Sequence, residues 1–199
     1  MARPFRSTLL AAAALAAALP LSAQEPWDAC FRLGVLRASG LRDDRLSQDT
    51  GGVLAAAGAY PVTRRGWACF EVGYRRLMDL SMTPATGTRT LDRLDGYFVG
   101  AGYRHALPVE GVYAQAGLRL AAHRAFHRDI LVGAGSGGSD QWNDTRGAQK
   151  LSLEPVVSLG ARFSTRNSVE LAIGRASFED AFGVARGKLL VELSLAVHL

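Results

Sequence analysis

The chain ends in KLLVELSLAVHL, residues 188–199. Leu189, Val191, Leu193, Leu195, Val197 and Leu199 fall on every second position, with Leu190, Glu192, Ser194, Ala196 and His198 between them. A period of two places the first set on one face of a β-strand and the second on the other. The first face is wholly apolar and the second is mixed. The alternation lasts about as long as a tilted strand needs to cross a bilayer, roughly 9–11 residues.

The same rhythm recurs upstream, with strands predicted at 30–37, 52–60, 67–77, 91–105, 111–125, 150–163 and 168–175. In 30–37, Phe31, Leu33 and Val35 oppose Arg32 and Gly34. In 67–77, Phe70, Val72 and Tyr74 oppose Cys69, Glu71, Gly73 and Arg75. The Ala- and Gly-rich strand 52–60 leaves its facing open. Polar loops are expected at 39–50, 79–90, 128–148 and 176–187, and short turns at 61–66, 107–110 and 164–167. Long and short connections thus alternate, the arrangement of an even-stranded bacterial barrel with short periplasmic turns and longer external loops. The expected fold is all-β: one antiparallel up-and-down transmembrane barrel of about eight strands.

The N-terminus reads as an address. Arg3 and Arg6 precede an apolar core from Leu9 to Leu21, and Leu21-Ser22-Ala23 suits signal peptidase. Residues 1–23 are therefore expected to be a cleaved signal peptide and 24–199 the barrel domain. The core is too short for a transmembrane helix, and charges or glycines interrupt every later apolar run. Of the formal charge of +5, the leader carries two arginines, leaving +3. Lysine occurs only at Lys150 and Lys188, so arginine supplies nearly all the positive charge. Arginine is preferred where charge is buried and bonded in a fork. The arginines are spread singly along strands, whereas a nucleic-acid footprint requires a clustered basic patch, so no nucleic-acid partner is expected.

With the leader, the alternating strands, the loop rhythm and the strand 189–199, the mature chain resembles the small outer-membrane barrels of the OmpA/OmpX kind. The resemblance implies an outer-membrane location in a Gram-negative-type bacterium. It also implies contact with outer-membrane lipid and lipopolysaccharide, and recognition by the barrel-assembly machinery through the C-terminal strand. That strand usually ends on an aromatic residue in such proteins; here it ends on Leu199. The function this implies is structural or surface-interactive: membrane integrity, with external loops for an extracellular or host-surface partner. Because alternation does not tell inside from outside, a soluble periplasmic barrel or sandwich is the alternative fold reading.

Arg32, Arg75, Arg104, Arg119 and Arg162 share the polar parity with Glu71, Glu154, Glu170 and Glu192. The interior of an eight-stranded barrel is just wide enough for side chains to fill, and buried charges need partners. These residues are expected to form a salt-bridged lumen network that closes the barrel rather than a pore. Leu189, Val191, Leu193, Leu195, Val197 and Leu199 are expected to face lipid. Trp142, amid Gly, Ser and Asp in the longest loop, is a candidate surface contact. Cys30 and Cys69 form a candidate disulfide in an oxidising compartment. A lipid-modifying or hydrolytic enzyme is the rival class, with His127, Asp129, Ser136, Ser139 and Asp140 near the external rim. His123 and His127 stand about 13 Å apart on a strand, too far to share a metal. No phosphate loop, metal cluster or nucleotide fingerprint is present, and no cofactor is expected.

Overall fold

A computed structural model describes residues 27–40, 49–83, 88–131, 133 and 140–199. The expected leader, 1–23, lies outside the described residues. Eight antiparallel strands follow in order: β1 (Asp28–Gly40), β2 (Asp49–Thr63), β3 (Gly66–Thr83), β4 (Thr88–Ala106), β5 (Val112–Leu131), β6 (Gln141–Arg162), β7 (Asn167–Glu179) and β8 (Ala185–His198). Each pairs with its neighbours in sequence, and β1 pairs with β8 from Cys30↔His198 to Gly40↔Lys188, closing the ring.

The first and last strands and three short connections share one end, here the terminal end. There Ser164 Oγ accepts from the backbone N–H of Arg166 and Asn167. Gly111 turns with φ of +73°, where a Cβ would press to 2.6 Å from the Arg162 carbonyl. At the opposite, distal end, Asp180 Oδ1 accepts from the N–H of Phe182 and Val184, both at 2.9 Å, and shapes the β7–β8 turn.

Several strands run well beyond their sequence-predicted ends. Residues 128–148, expected as the longest loop, are mostly strand: β5 continues to Leu131 and β6 begins at Gln141. Likewise 79–90 is strand up to Thr83 and again from Thr88. The polar residues there serve as cross-strand partners rather than loop residues. Arg128 faces Asp144 in register and bonds it through two nitrogens, at 2.6 and 2.8 Å. The β6–β7 ladder, by contrast, stops at Val156↔Gly174. Pro155 follows with no N–H to donate, and beyond it β6 pairs with β5 alone, while Lys150 reaches Glu179 across the interval at 2.5 Å.

Facing follows the alternation. Phe31, Leu33, Val35, Phe70, Val99, Leu118, Leu153, Leu171, Leu193 and Leu195 are exposed on the outer surface. Arg32, Arg75, Arg119, Glu154, Glu170 and Glu192 are buried in the lumen. The open question at β2 resolves with Val53, Ala55 and Ala59 inward and Leu54 and Tyr60 outward.

Candidate functional site

The lumen is built in three layers. The middle layer carries the charges. Arg32 bonds Glu71 and, at 2.6 Å, Glu170. Arg119 reaches the same Glu71 at 2.6 Å and Glu192 at 3.1 Å. Glu154 Oε1 accepts from Arg75 at 2.5 Å and Ser152 at 3.0 Å, and meets His123 Nε2 at 2.6 Å. Each carboxylate therefore meets a guanidinium, and Arg119 grips Glu71 as a fork through Nε and Nη2, pairing that makes charge tolerable away from water. Phe98 lies between two of the arginines, its ring 4.6 Å from Arg119 Cζ and 5.8 Å from Arg75 Cζ. Inward glycine makes the room: a Cβ on Gly100 would lie 2.7 Å from Glu71 Oε1.

At the terminal end, Asp28 gathers Arg162 at 2.6 Å, Arg104 at 3.4 Å and His198 Nδ1 at 2.6 Å. The other ring nitrogen of His198 meets Ser168 Oγ at 2.9 Å. Asp28, His198 and Ser168 thus lie in the order of a charge-relay triad. Ser168 is fully buried, so its hydroxyl ties β7, β8 and β1 together at the ring closure and is not presented to a substrate. Sequence reading missed this group because Asp28 and His198 are 170 positions apart.

The distal layer is apolar. Leu36, Ala38, Leu77, Leu94, Ala125, Ala176, Phe178 and Leu190 form one buried cluster inside the ring. Their positions share the parity of the charged residues, so an expectation of a polar inner face hid them. Between the terminal and middle layers, the cavity beside Arg104, Gln115 and Glu170 measures about 20 Å³, room for about one water.

No family model and no curated protein sequence matches the chain. Solved structures do. Ail, the attachment invasion locus protein of Yersinia pestis, determined in complex with the heparin analogue sucrose octasulfate, superposes with a TM-score of 0.55 at 11% identity, covering 87% of this chain and 99% of that one. Neisserial surface protein A superposes with a TM-score of 0.50 at 16% identity, covering 87% and 96%. The chain has the fold of the small eight-stranded outer-membrane barrels.

In this barrel the remaining sequence candidates fall in separate places. Trp142 is exposed, but it stands on β6 opposite Ile130 rather than in a loop, with Arg128 Cζ 5.8 Å from its ring. The candidate disulfide is not formed: Cys30 and Cys69 are both free and buried. Cys30 pairs with Ala57, and Ala57 pairs with Glu71, so a strand and a two-residue offset separate the cysteines. His123 is sealed in the lumen and His127 sits at the distal rim, without a shared ligand set. His127 Nδ1 meets Asp92 at 2.7 Å and Nε2 meets Asp129 at 3.1 Å. Burial works against its charge, but these two carboxylates outweigh it and hold the imidazole pKa above its ordinary value. Asp140 accepts from Gly133 N–H at 3.1 Å; Ser136 and Ser139 lie outside the described residues.

Proposed function

We propose that the chain is an outer-membrane barrel of a Gram-negative-type bacterium, exported by a leader cleaved after Ala23, with its terminal end in the periplasm and its distal end outside the cell. Its role is structural and interactive: a closed lumen, a lipid-facing band, and an external sheet of β3 to β6 for contact with an extracellular or host surface. The lumen carries this reading. The Asp28 cluster, the Arg–Glu network and the apolar cluster follow one another along the axis, a stacking that supports a lumen without a continuous polar path for ions. The strand 189–199 would present the assembly signal. Ail, a barrel of the same fold, was solved with a heparin analogue, which supports surface contact as the job. The buried state of Ser168 gives the hydrolytic alternative no exposed nucleophile at that group.

Planar-bilayer recording tests the closed lumen. The refolded protein is expected to give no steady single-channel current, because ions would have to cross both a desolvated salt-bridge layer and a dry apolar layer. A large, stable conductance would show that the layers open and would turn the reading to a pore.

A further inference from the structure

The outer face of the upper β4–β5–β6 sheet carries a second group of arginines, unrelated to the lumen. On β4, Arg93 and Asp95 continue the outward alternation of Tyr97 and Val99. On β5, Arg124, Phe126 and Arg128 continue that of Leu118 and Leu120. Arg93 and Arg146 flank Phe126 in register, so all share this face. Phe126 is only 8% exposed, although it points away from the lumen. Three guanidiniums cover it: Arg93 Cζ at 4.6 Å, Arg128 at 5.4 Å and Arg146 at 5.9 Å from the ring centroid. One aromatic platform thus holds three like charges close together, a costly arrangement without an anion.

The carboxylates at hand do not balance it. Asp144 is taken by Arg128. Asp95 is shared between Arg93 at 3.1 Å and Arg76 at 2.8 Å. Among the described residues, Arg124 and Arg146 make no ion pair with a carboxylate: Arg124 stands opposite the already shared Asp95, and Arg146 only feels the charge of the already paired Asp144. The group also sits at a defined height. Leu120 is the last large apolar residue on the outer face of β5 before Arg124. Four residues of a strand tilted by about 35–45° and rising about 3.3 Å per residue carry Arg124 roughly 10 Å above it. The side chains point sideways, toward a lipid neighbour, at the level where headgroups begin.

We propose that Arg93, Arg128 and Arg146, held on Phe126, together with Arg124 beside them on the same face, bind the phosphorylated headgroup of an outer-leaflet glycolipid. Guanidinium forks suit phosphate oxygens, and the sideways aim favours a membrane glycolipid over a soluble polyanion approaching from above. The site rests on the membrane placement proposed above.

The test titrates the refolded full chain in detergent micelles with purified lipopolysaccharide, with the same material enzymatically dephosphorylated, and with heparin. The variant R124Q/R146Q removes charge without orphaning a carboxylate; R64Q/R65Q, in the β2–β3 turn at the terminal end, is the control. Phosphorylated lipopolysaccharide is expected to bind the wild type and the control alike, and the double variant about tenfold more weakly. The dephosphorylated form is expected to bind the wild type as weakly as the double variant binds the native form. Heat-modifiable migration checks each fold, and R146Q alone carries the test should the double variant not fold. Equal binding by wild type and variant, or no effect of dephosphorylation, overturns the site. Heparin binding lost in the variant, with no lipopolysaccharide binding by the wild type, overturns it in favour of a soluble sulfated glycan. A chain that folds without amphiphile fails the membrane placement instead, which no variant in this series would mimic.

Discussion

The middle of the barrel and its distal end are built from the same strands with opposite polarity. On β1, Leu33 points out and Arg32 in; a few residues on, Arg37 points out and Leu36 in. On β3, Val72 outside and Glu71 inside give way to Arg76 outside and Leu77 inside. On β4, Val99 outside gives way to Arg93 outside and Leu94 inside. On these three strands the period does not change; the solvent it answers to does. In the middle, an apolar exterior suits lipid and a narrow interior takes charge only as ion pairs. At the distal end, the exterior is charged and the interior is a small apolar core, as in a water-soluble protein. On the membrane placement proposed above, the level at which the pattern inverts is where the ring leaves the lipid.

The largest effect is expected inside the middle layer. Glu154→Ala removes the acceptor shared by Arg75, His123 and Ser152. Leaving Arg75 buried and unpaired is expected to cost about 3–5 kcal/mol, read as a lowered urea midpoint of the barrel folded in vesicles. A cost under about 1 kcal/mol would mean that water reaches this layer and that the two regions differ less than their burial indicates. The smallest effect is expected at the distal rim, at His127. Its pKa is raised in the fold by Asp92 and Asp129 against the opposing pull of burial. Its contribution is thus fully present below the ordinary imidazole value of about 6.5 and is lost as pH rises through the raised value. Amide exchange at the β4–β5 ends should therefore quicken as pH rises through that window, beyond its intrinsic pH dependence, and His127→Gln should remove the extra quickening. Identical profiles in the two proteins would show that the histidine does not tie the rim.

How legible each region was follows from the inversion. The strand 189–199, and Phe31, Leu33 and Val35 against Arg32, declare the barrel because lipid outside and polar groups inside give the alternation an unmistakable contrast. The parity that groups Arg32, Glu71, Arg119 and Glu154 is visible in the sequence as well. Which arginine meets which glutamate is not, because the pairing depends on how the rows spiral around the ring. The distal stretches carry a loop signature in the sequence, because Arg128, Asp144 and their neighbours look like loop residues once the apolar residues cross to the inner face. Trp142 carries the same loop signature for the same reason. In β2, Ala and Gly on both faces leave no contrast to read. Asp28, Ser168 and His198 come together only when the last strand closes on the first, which no local pattern encodes.

One paired measurement tests the inversion most directly. Leu193 on β8 and Ser177 on β7 both point outward and are exposed, the first in the apolar band and the second beyond it, opposite Gly187. Each is changed to arginine, and the folded fraction in lipid vesicles is read by heat-modifiable migration and urea titration. Leu193→Arg is expected to lose about 2–4 kcal/mol, the depth-dependent cost of a cation near the bilayer midplane. Ser177→Arg is expected to stay within about 0.5 kcal/mol of the wild type, as an ordinary surface change does. Equal losses in the two variants, or a Leu193→Arg protein that folds as well as the wild type, would contradict the account.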